Sequence, residues 1–195
     1  MKINEIFYSL QGEGYHSGTP AVFVRMSGCN LSCAFCDTRH EAGVEMTEEA
    51  IAEEVAQYPA HLVVITGGEP SLQLTSSLVD KLHAIGKYVA VETNGTHTLP
   101  DEVDWITLSP KETYVGPQGK PMLERADELK FVYDGIHDPG QVMPMATDIP
   151  HLFLQPCDTG DPERNAAIVR ATVEYTKRNP RWRLSLQIHK ILNIR

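Results

Sequence analysis

Apolar residues in this chain come in short runs separated by polar stretches of fairly even length. Residues 3–9 and 21–27 read as two strands. Between them Leu10-Gln11-Gly12-Glu13-Gly14 is a turn whose two glycines fit a plain tight turn or a close backbone approach to a ligand. Thr47 can cap a helix running to about Gln57, with Glu48 and Glu49 in its first turn and Ile51 and Val55 on one face. Leu62-Val63-Val64-Ile65-Thr66 is a continuous β-branched run, the mark of a buried strand, and Gly67-Gly68-Glu69-Pro70 breaks it. A helix is expected over about 75–85, stopped by Gly86, then a strand Tyr88-Val89-Ala90-Val91 ending in Glu92-Thr93-Asn94-Gly95.

The same grammar repeats along the chain. Trp105-Ile106-Thr107-Leu108 ends in Ser109-Pro110-Lys111, Leu129–Tyr133 ends in Asp134-Gly135, and His151–Leu154 ends in Gln155-Pro156-Cys157-Asp158. A long helix is expected over 162–178 with Pro162 near its start, followed by a final strand Trp182–Gln187 leading into Ile188-His189-Lys190. Segments 110–128 and 134–150 carry little helical periodicity, so some crossovers are expected to be loops. Strands alternating with helices imply right-handed parallel βαβ units. Glu69, Glu92, Ser109, Lys111 and Gln155 all fall just after strands, the edge where parallel barrels carry their active sites. The expected fold is therefore α/β: a partial, thinly jacketed (β/α)6-type barrel with a parallel sheet, since a closed eight-stranded barrel takes roughly 250 residues. No repeat or linker divides the chain, and one domain over residues 1–195 is expected.

Composition narrows the class of partner. Apolar residues make up 42% and charged residues 22%, as in an ordinary globular protein. With 17 Lys and Arg against 26 Asp and Glu the formal charge is −9, which argues against a nucleic-acid surface but leaves room for a locally positive pocket. The start Met1-Lys2-Ile3-Asn4-Glu5 has no apolar signal core, and no apolar run approaches the ~20 residues of a membrane helix. No membrane partner and a cytoplasmic location are expected. Arg25, inside an apolar strand, needs either a structural carboxylate or an anionic ligand. Its place four residues before Cys29 favours the ligand.

The densest chemistry is Cys29-x3-Cys33-x2-Cys36, three of the four cysteines within eight residues. Thiolates this close suit a soft metal centre, zinc or an iron–sulfur cluster. A usual cluster takes four cysteines, so three leave one iron open to an outside molecule. A zinc knuckle completed by His40 is the alternative. Cys157 lies far off and reads by itself as a small buried hydrophobe.

This spacing, with Phe35 before the last cysteine, resembles the signature of the radical S-adenosylmethionine (SAM) superfamily, in which three cysteines hold a [4Fe-4S] cluster and SAM binds the fourth iron. Thr66-Gly67-Gly68-Glu69-Pro70 resembles that superfamily's Gly-Gly-Glu motif, which meets the SAM amino group. A set of motifs spanning nearly the whole chain resembles one family within it, 7-carboxy-7-deazaguanine synthase. The set is Leu10–Gly14, Val24–Asn30, Cys36–Thr38, Thr66–Pro70, Glu92–Gly95, Ser109–Lys111 and Gln187–Lys190.

The family makes a deazaguanine intermediate for queuosine and related nucleosides from 6-carboxy-5,6,7,8-tetrahydropterin. The resemblance implies that Cys29, Cys33 and Cys36 hold the cluster. It implies that Phe35, Cys36, Asp37, Gly68, Ser109, Pro110, Lys111, Gln155, Pro156, Cys157 and Asp158 contact SAM. Leu10, Gln11, Gly12, Arg25 and Thr66 contact the substrate, and Thr38 helps bind Mg²⁺ together with substrate and water, since that ion wants near-octahedral oxygens. The chain end, Arg195, folds toward the substrate. Glu13 and Glu92 are candidates for holding pterin N–H groups or moving protons and each also fits a structural carboxylate, while His189 fits a packing residue or a proton carrier. His16, His61, His83 and His97 read as surface or core residues. Gln187 and His189 share a face if the last strand persists. The resemblance further implies a reducing partner such as flavodoxin or ferredoxin, and a homodimer. The competing readings are a radical SAM activase of a glycyl-radical enzyme, and a metal-binding module without activity.

Overall fold

The computed structural model describes residues 1–38 and 40–195. The chain opens with β1 (Lys2–Leu10), β2 (Pro20–Met26), a two-residue β3 (Val44–Glu45), α1 (Glu48–Ala56), β4 (Leu62–Gly67), α2 (Ser76–Ala84) and β5 (Tyr88–Thr93). It continues with β6 (Trp105–Leu108), a single turn α3 (Glu112–Val115), β7 (Glu128–Tyr133), β8 (His151–Pro156), α4 (Pro162–Arg178), β9 (Trp182–Leu184) and a short α5 (Ile188–Leu192). The caps are those the residue types favour: Thr47 Oγ1 accepts from Ala50 N, Thr75 Oγ1 from Leu78 N, and Asp161 Oδ1 from Glu163 N. Gly86, at φ +75°, closes α2.

The nine strands found among the described residues form one sheet in the order β3-β1-β2-β4-β5-β6-β7-β8-β9. From β2 to β9 every neighbour is parallel, while β1 runs antiparallel to both β2 and β3. The end strands do not pair, so the barrel is open, as expected. Its core strands are β2 and β4 to β8, with the three-residue β9 added beyond them. Three helices of real length, α1, α2 and α4, jacket it; the β6–β7 and β7–β8 crossovers are built from single turns and loops.

Alternation along each strand sorts the residues onto two faces. Val22, Val24, Val63, Ile65, Val89 and Val91 face outward and pack with Ile51, Val55, Leu78, Val79 and Leu82 of the helices. Phe23, Val64 and Ala90 fill the concave side together with Phe7, whose ring stacks on Phe23 at 4.9 Å. Two residues further along the same strands stand Arg25, Thr66 and Glu92. On β8 Gln155 likewise follows Phe153, whereas on β7 the residue beneath Lys130 is itself an acid, Glu128. A greasy plug therefore lies beneath a polar layer, and the polar layer faces the carboxyl ends of the strands.

The expected last strand is shorter than the sequence suggests. It stops at Leu184, because Ser185 turns its hydroxyl inward to donate to Gln155 Oε1 at 2.8 Å and accept from Gly14 N at 3.0 Å. Gln187 then precedes α5, and His189 lies within that helix rather than on a strand face shared with Gln187. No helix among the described residues is long and apolar enough to cross a membrane.

Leu78 is fully buried between α2 and the sheet, whereas the Asp161 cap is on the surface. Leu78→Ala is expected to cost about 2–5 kcal/mol, and Asp161→Ala about 1 kcal/mol. Urea unfolding followed by circular dichroism reads both. Equal losses would contradict the assignment of Leu78 to the main core.

Candidate active site

The strand ends surround one cavity of about 550 Å³. Of the residues the sequence pointed to, every one except Pro110 lines it. Part of its wall is the loop carrying Cys29, Cys33 and Cys36. Another part is Arg25, Glu13 and Glu92, with residues from the turn after β1 and from the end of the chain around them.

The cysteine loop is fastened to the tip of β4 by main-chain contacts. Glu69 N donates to Gly28 O at 2.8 Å, and Gly28 N donates to His40 O at 2.8 Å. At Gly68 a Cβ would lie 1.8 Å from that Gly28 oxygen, so only glycine fits. Gly67 adopts φ +124° beside Met26. The glycine pair thus has a packing task in addition to any ligand contact. Glu69 is almost fully buried, and its carboxylate accepts from Ser71 N, Ser71 Oγ, Thr93 Oγ1 and Asn94 N. It ties the tips of β4 and β5 together, which leaves little acceptor capacity for an ammonium.

The three thiols are free of disulfides. Burial raises the pKa of Cys29 and Cys33, with the other thiols of the group adding to it, so without metal both carry their protons. Among the described residues no three His, Cys, Asp or Glu side chains gather closely enough to hold a single ion. Thiols spread along a wall suit a cubane, in which each takes a different iron, better than a zinc knuckle converging with His40. The donor set fits an iron–sulfur cluster. For Mg²⁺, Thr38 stands on the wall without a carboxylate set beside it, so substrate and water would have to complete its shell.

Lys111 lies under the cysteine loop. Its ammonium donates to Ser109 O at 2.8 Å and Ser109 Oγ at 2.6 Å, and stands 5.9 Å from the Phe35 ring centre. Burial lowers its pKa, against the pull of the Cys33 sulfur. Cys157 is buried, as its sequence setting suggests, and also reaches the cavity wall with Asp158.

Arg25 has a structural carboxylate after all: its Nε donates to Glu5 Oε1 at 2.8 Å. Arg195 pairs with the other Glu5 oxygen, and its main-chain oxygen accepts from Ser9 Oγ. The chain end is further held by Lys190, which bridges Asp37 at 3.0 Å and Asp158 at 2.8 Å, and by Ile188 N donating to Gly12 O at 3.0 Å. The His189 ring packs so closely on Gly12 that a Cβ there would meet Nδ1 at 2.3 Å.

The floor holds the residues that sequence reasoning missed. Lys130 Nζ donates to Glu13 Oε2 at 2.5 Å and lies 3.4 Å from Glu92 Oε1. Burial alone would raise the Glu13 pKa, but Lys130, Gln187 and Gln155 override it and hold it down to about 2. Burial alone would lower the Lys130 pKa; Glu13, Glu92 and Glu128 push it above its ordinary value instead. Glu128 is 2% exposed; its Oε2 accepts from Tyr15 N at 3.0 Å, and its Oε1 makes no hydrogen bond of good geometry among the described residues. Burial raises it to about 7. The signal for Lys130 was present: a charge in the apolar run Leu129-Lys130-Phe131-Val132 demands a partner as much as Arg25 does.

Comparison with known proteins agrees with this geometry. Residues 23–114 match the Radical SAM superfamily. The chain is 54% identical to 7-carboxy-7-deazaguanine synthase of Bacteroides thetaiotaomicron, with 100% of this chain and 98% of that one aligned. It is 38% identical to the enzyme of the same name from Bradyrhizobium diazoefficiens, over 99% of this chain and 98% of that one. A crystal structure of QueE from Escherichia coli superposes with a TM-score of 0.78 at 31% identity, over 95% of this chain and 93% of that one.

Two outcomes follow from these contacts. Gly68→Ala places a methyl group against the Gly28 carbonyl and is expected to lower iron uptake on anaerobic reconstitution; wild-type iron content would show that the close approach is dispensable. For Glu128, a folded-state pKa raised from 4.5 to about 7 means that the folded protein binds this proton more tightly than the unfolded chain. The group's contribution to stability therefore falls as pH rises from about 4.5 to 7, by on the order of 3 kcal/mol. Glu128→Gln keeps an acceptor for Tyr15 N and removes the titration. Its stability curve should be flatter across that window; a curve parallel to the wild type would contradict the buried acid.

Proposed function

The chain belongs to the 7-carboxy-7-deazaguanine synthase family, and from that premise we propose that it converts 6-carboxy-5,6,7,8-tetrahydropterin to 7-carboxy-7-deazaguanine with release of ammonia. The observation that carries this reading is one cavity whose wall brings together three thiols and an Arg25, Glu13 and Glu92 constellation. Substrate minus ammonia equals product, so no net oxidant is required and SAM serves as a cofactor. Residues 1–195 act as one domain in a lyase of queuosine and 7-deazapurine biosynthesis.

Cys29, Cys33 and Cys36 would hold the [4Fe-4S] cluster, with SAM between it and the walls formed by Phe35 to Asp37, Gly68, Ser109 to Lys111 and Gln155 to Asp158. When bound, cluster and SAM supply a 5′-deoxyadenosyl radical able to remove a hydrogen atom. The protein's own residues set what that radical meets. Arg25, steadied by Glu5, presents a planar fork suited to a carboxylate. Thr38 would join the carboxylate and waters around Mg²⁺. Leu10, Gln11, Gly12 and Thr66 shape the pterin slot, and Glu13 and Glu92 accept from its N–H groups. His189, over Gly12, and the end of the chain at Arg195 close the site against water, which also fixes the reacting atoms relative to each other.

A low-potential electron donor such as flavodoxin or ferredoxin would reduce the cluster. The cytoplasm suits an oxygen-sensitive cluster, and a homodimer is the assembly carried over from the family.

The test is an anaerobic assay of the reconstituted protein with dithionite, SAM, Mg²⁺ and the carboxytetrahydropterin, read by mass spectrometry. Formation of 7-carboxy-7-deazaguanine without stoichiometric loss of SAM is expected, and Cys33→Ala should abolish it. SAM cleavage with the pterin left intact would reject this substrate while retaining the superfamily chemistry.

A further inference from the structure

The roles above leave one buried cation unexplained. Lys130 sits mid-strand on β7 with its side chain only 5% exposed, while the two carboxylates it holds are 14% and 25% exposed and line the cavity. Lys130 borders the cavity too, but it is the most deeply buried of the three. Each anion is also fixed by an amide. Gln187 Nε2 donates to Glu13 Oε1 at 2.9 Å, Gln11 Nε2 donates to Glu92 Oε1 at 2.9 Å, and Gln11 Oε1 accepts from Glu13 N at 3.1 Å. Segments from the turn after β1, from β5 and from the end of the chain thus converge on one ammonium.

Two carboxylates sharing a cavity floor repel, and without compensation one of them takes up a proton. A protonated carboxyl presents an O–H where an N–H donor needs an acceptor. We infer that Lys130 is a positioning residue for the substrate's N–H-bearing edge: paired with Glu13 and Glu92, it keeps both ionised and aimed into the cavity as paired hydrogen-bond acceptors. The inference rests on the pterin reading, because an aminopyrimidinone ring carries such an edge on the side away from its carboxylate. Arg25 and the Glu13–Glu92 pair would then receive opposite ends of one molecule. The charged groups near the ammonium among the described residues are Glu13 from the turn after β1, Glu92 from β5, Glu128 from its own strand, and the buried Lys111 after β6, whose like charge opposes it. Glu128, raised to about 7, is largely protonated below neutral pH and competes little for the ammonium there.

The experiment compares Lys130→Met, Lys130→Arg and the charge-balanced double variant Lys130→Met/Glu13→Gln, each normalised to iron content and to SAM cleavage without pterin. Lys130→Met is expected to raise KM for the pterin roughly 10- to 100-fold, the scale of one hydrogen bond to a charged group, with a smaller change in kcat. The acid limb of its kcat/KM profile should move up toward neutral pH, and at pH 7 the infrared spectrum should gain a protonated-carboxyl band beyond the one Glu128 gives in the wild type. Lys130→Arg should restore the wild-type acid limb. If Lys130→Met fails to fold, the double variant removes both charges at once and should fold with the same weakened pterin binding.

A folded Lys130→Met protein with wild-type KM, an unmoved acid limb and no new carboxyl band overturns the inference, as does a double variant that binds pterin like the wild type. Failure of the wild type itself to convert the pterin would instead reject the substrate. The carboxyl band would still report whether Lys130 keeps its partners ionised.

Discussion

Each central strand of this fold must satisfy two environments at once, and that constraint organises the rest. One face covers helices and is aliphatic along its length. The other fills a concavity, and only its lower residues are needed for filling. Phe23, Val64 and Ala90 do that work, which leaves the next concave position free for Arg25, Thr66 and Glu92. Chemistry is placed on the last concave layer because the layer beneath has already excluded water. The charges there sit in a setting of low polarisability, where each must find a partner.

Those partners come from far along the chain, and this makes the site a device for tying distant segments together. Glu69 joins the tips of β4 and β5. Glu5 joins β1 to β2 and to the end of the chain. Lys130 joins β7 to the turn after β1 and to β5. A chain with net charge −9 nevertheless carries cations at each of these junctions except the first, where backbone and hydroxyl donors suffice. The overall sign of the protein therefore says little about what its cavity attracts.

Much of this was legible in the sequence, for identifiable reasons. Continuous β-branched runs gave the buried strands, and the absence of periodicity in 110–128 and 134–150 gave the loop crossovers. The cysteine spacing and the polar residues after strands located the rim. The remainder depended on three-dimensional pairing that no local pattern records. The pairing of Arg25 with Glu5, twenty residues away, exists only once β1 folds back on β2. Glu69 looked available until Thr93 and Asn94 closed on it. The last strand looked six residues long because Ser185 and Gln187 fit a strand locally, yet their side chains are claimed by Gln155 and Glu13. Lys130 was passed over although the rule applied to Arg25 covers it equally.

The jacket around the sheet is uneven. α1 and α2 seal the outer face of β4 and β5, and α4 leans on β8 and β9, but β6 and β7 are covered by single turns and by side chains such as Tyr114, Val142 and Met143. Helices shield backbone amides cooperatively, whereas loops release them one segment at a time. On that principle the barrel should be a graded solid, with slow amide exchange expected in β4 and β5 and faster exchange expected beside β6 and β7. That softer wall carries Lys130, and Ser109 and Lys111 stand at its end after β6. The cavity accordingly has one rigid side, next to the cysteine loop's anchor at Gly68, and one side with room to yield as a molecule enters or leaves.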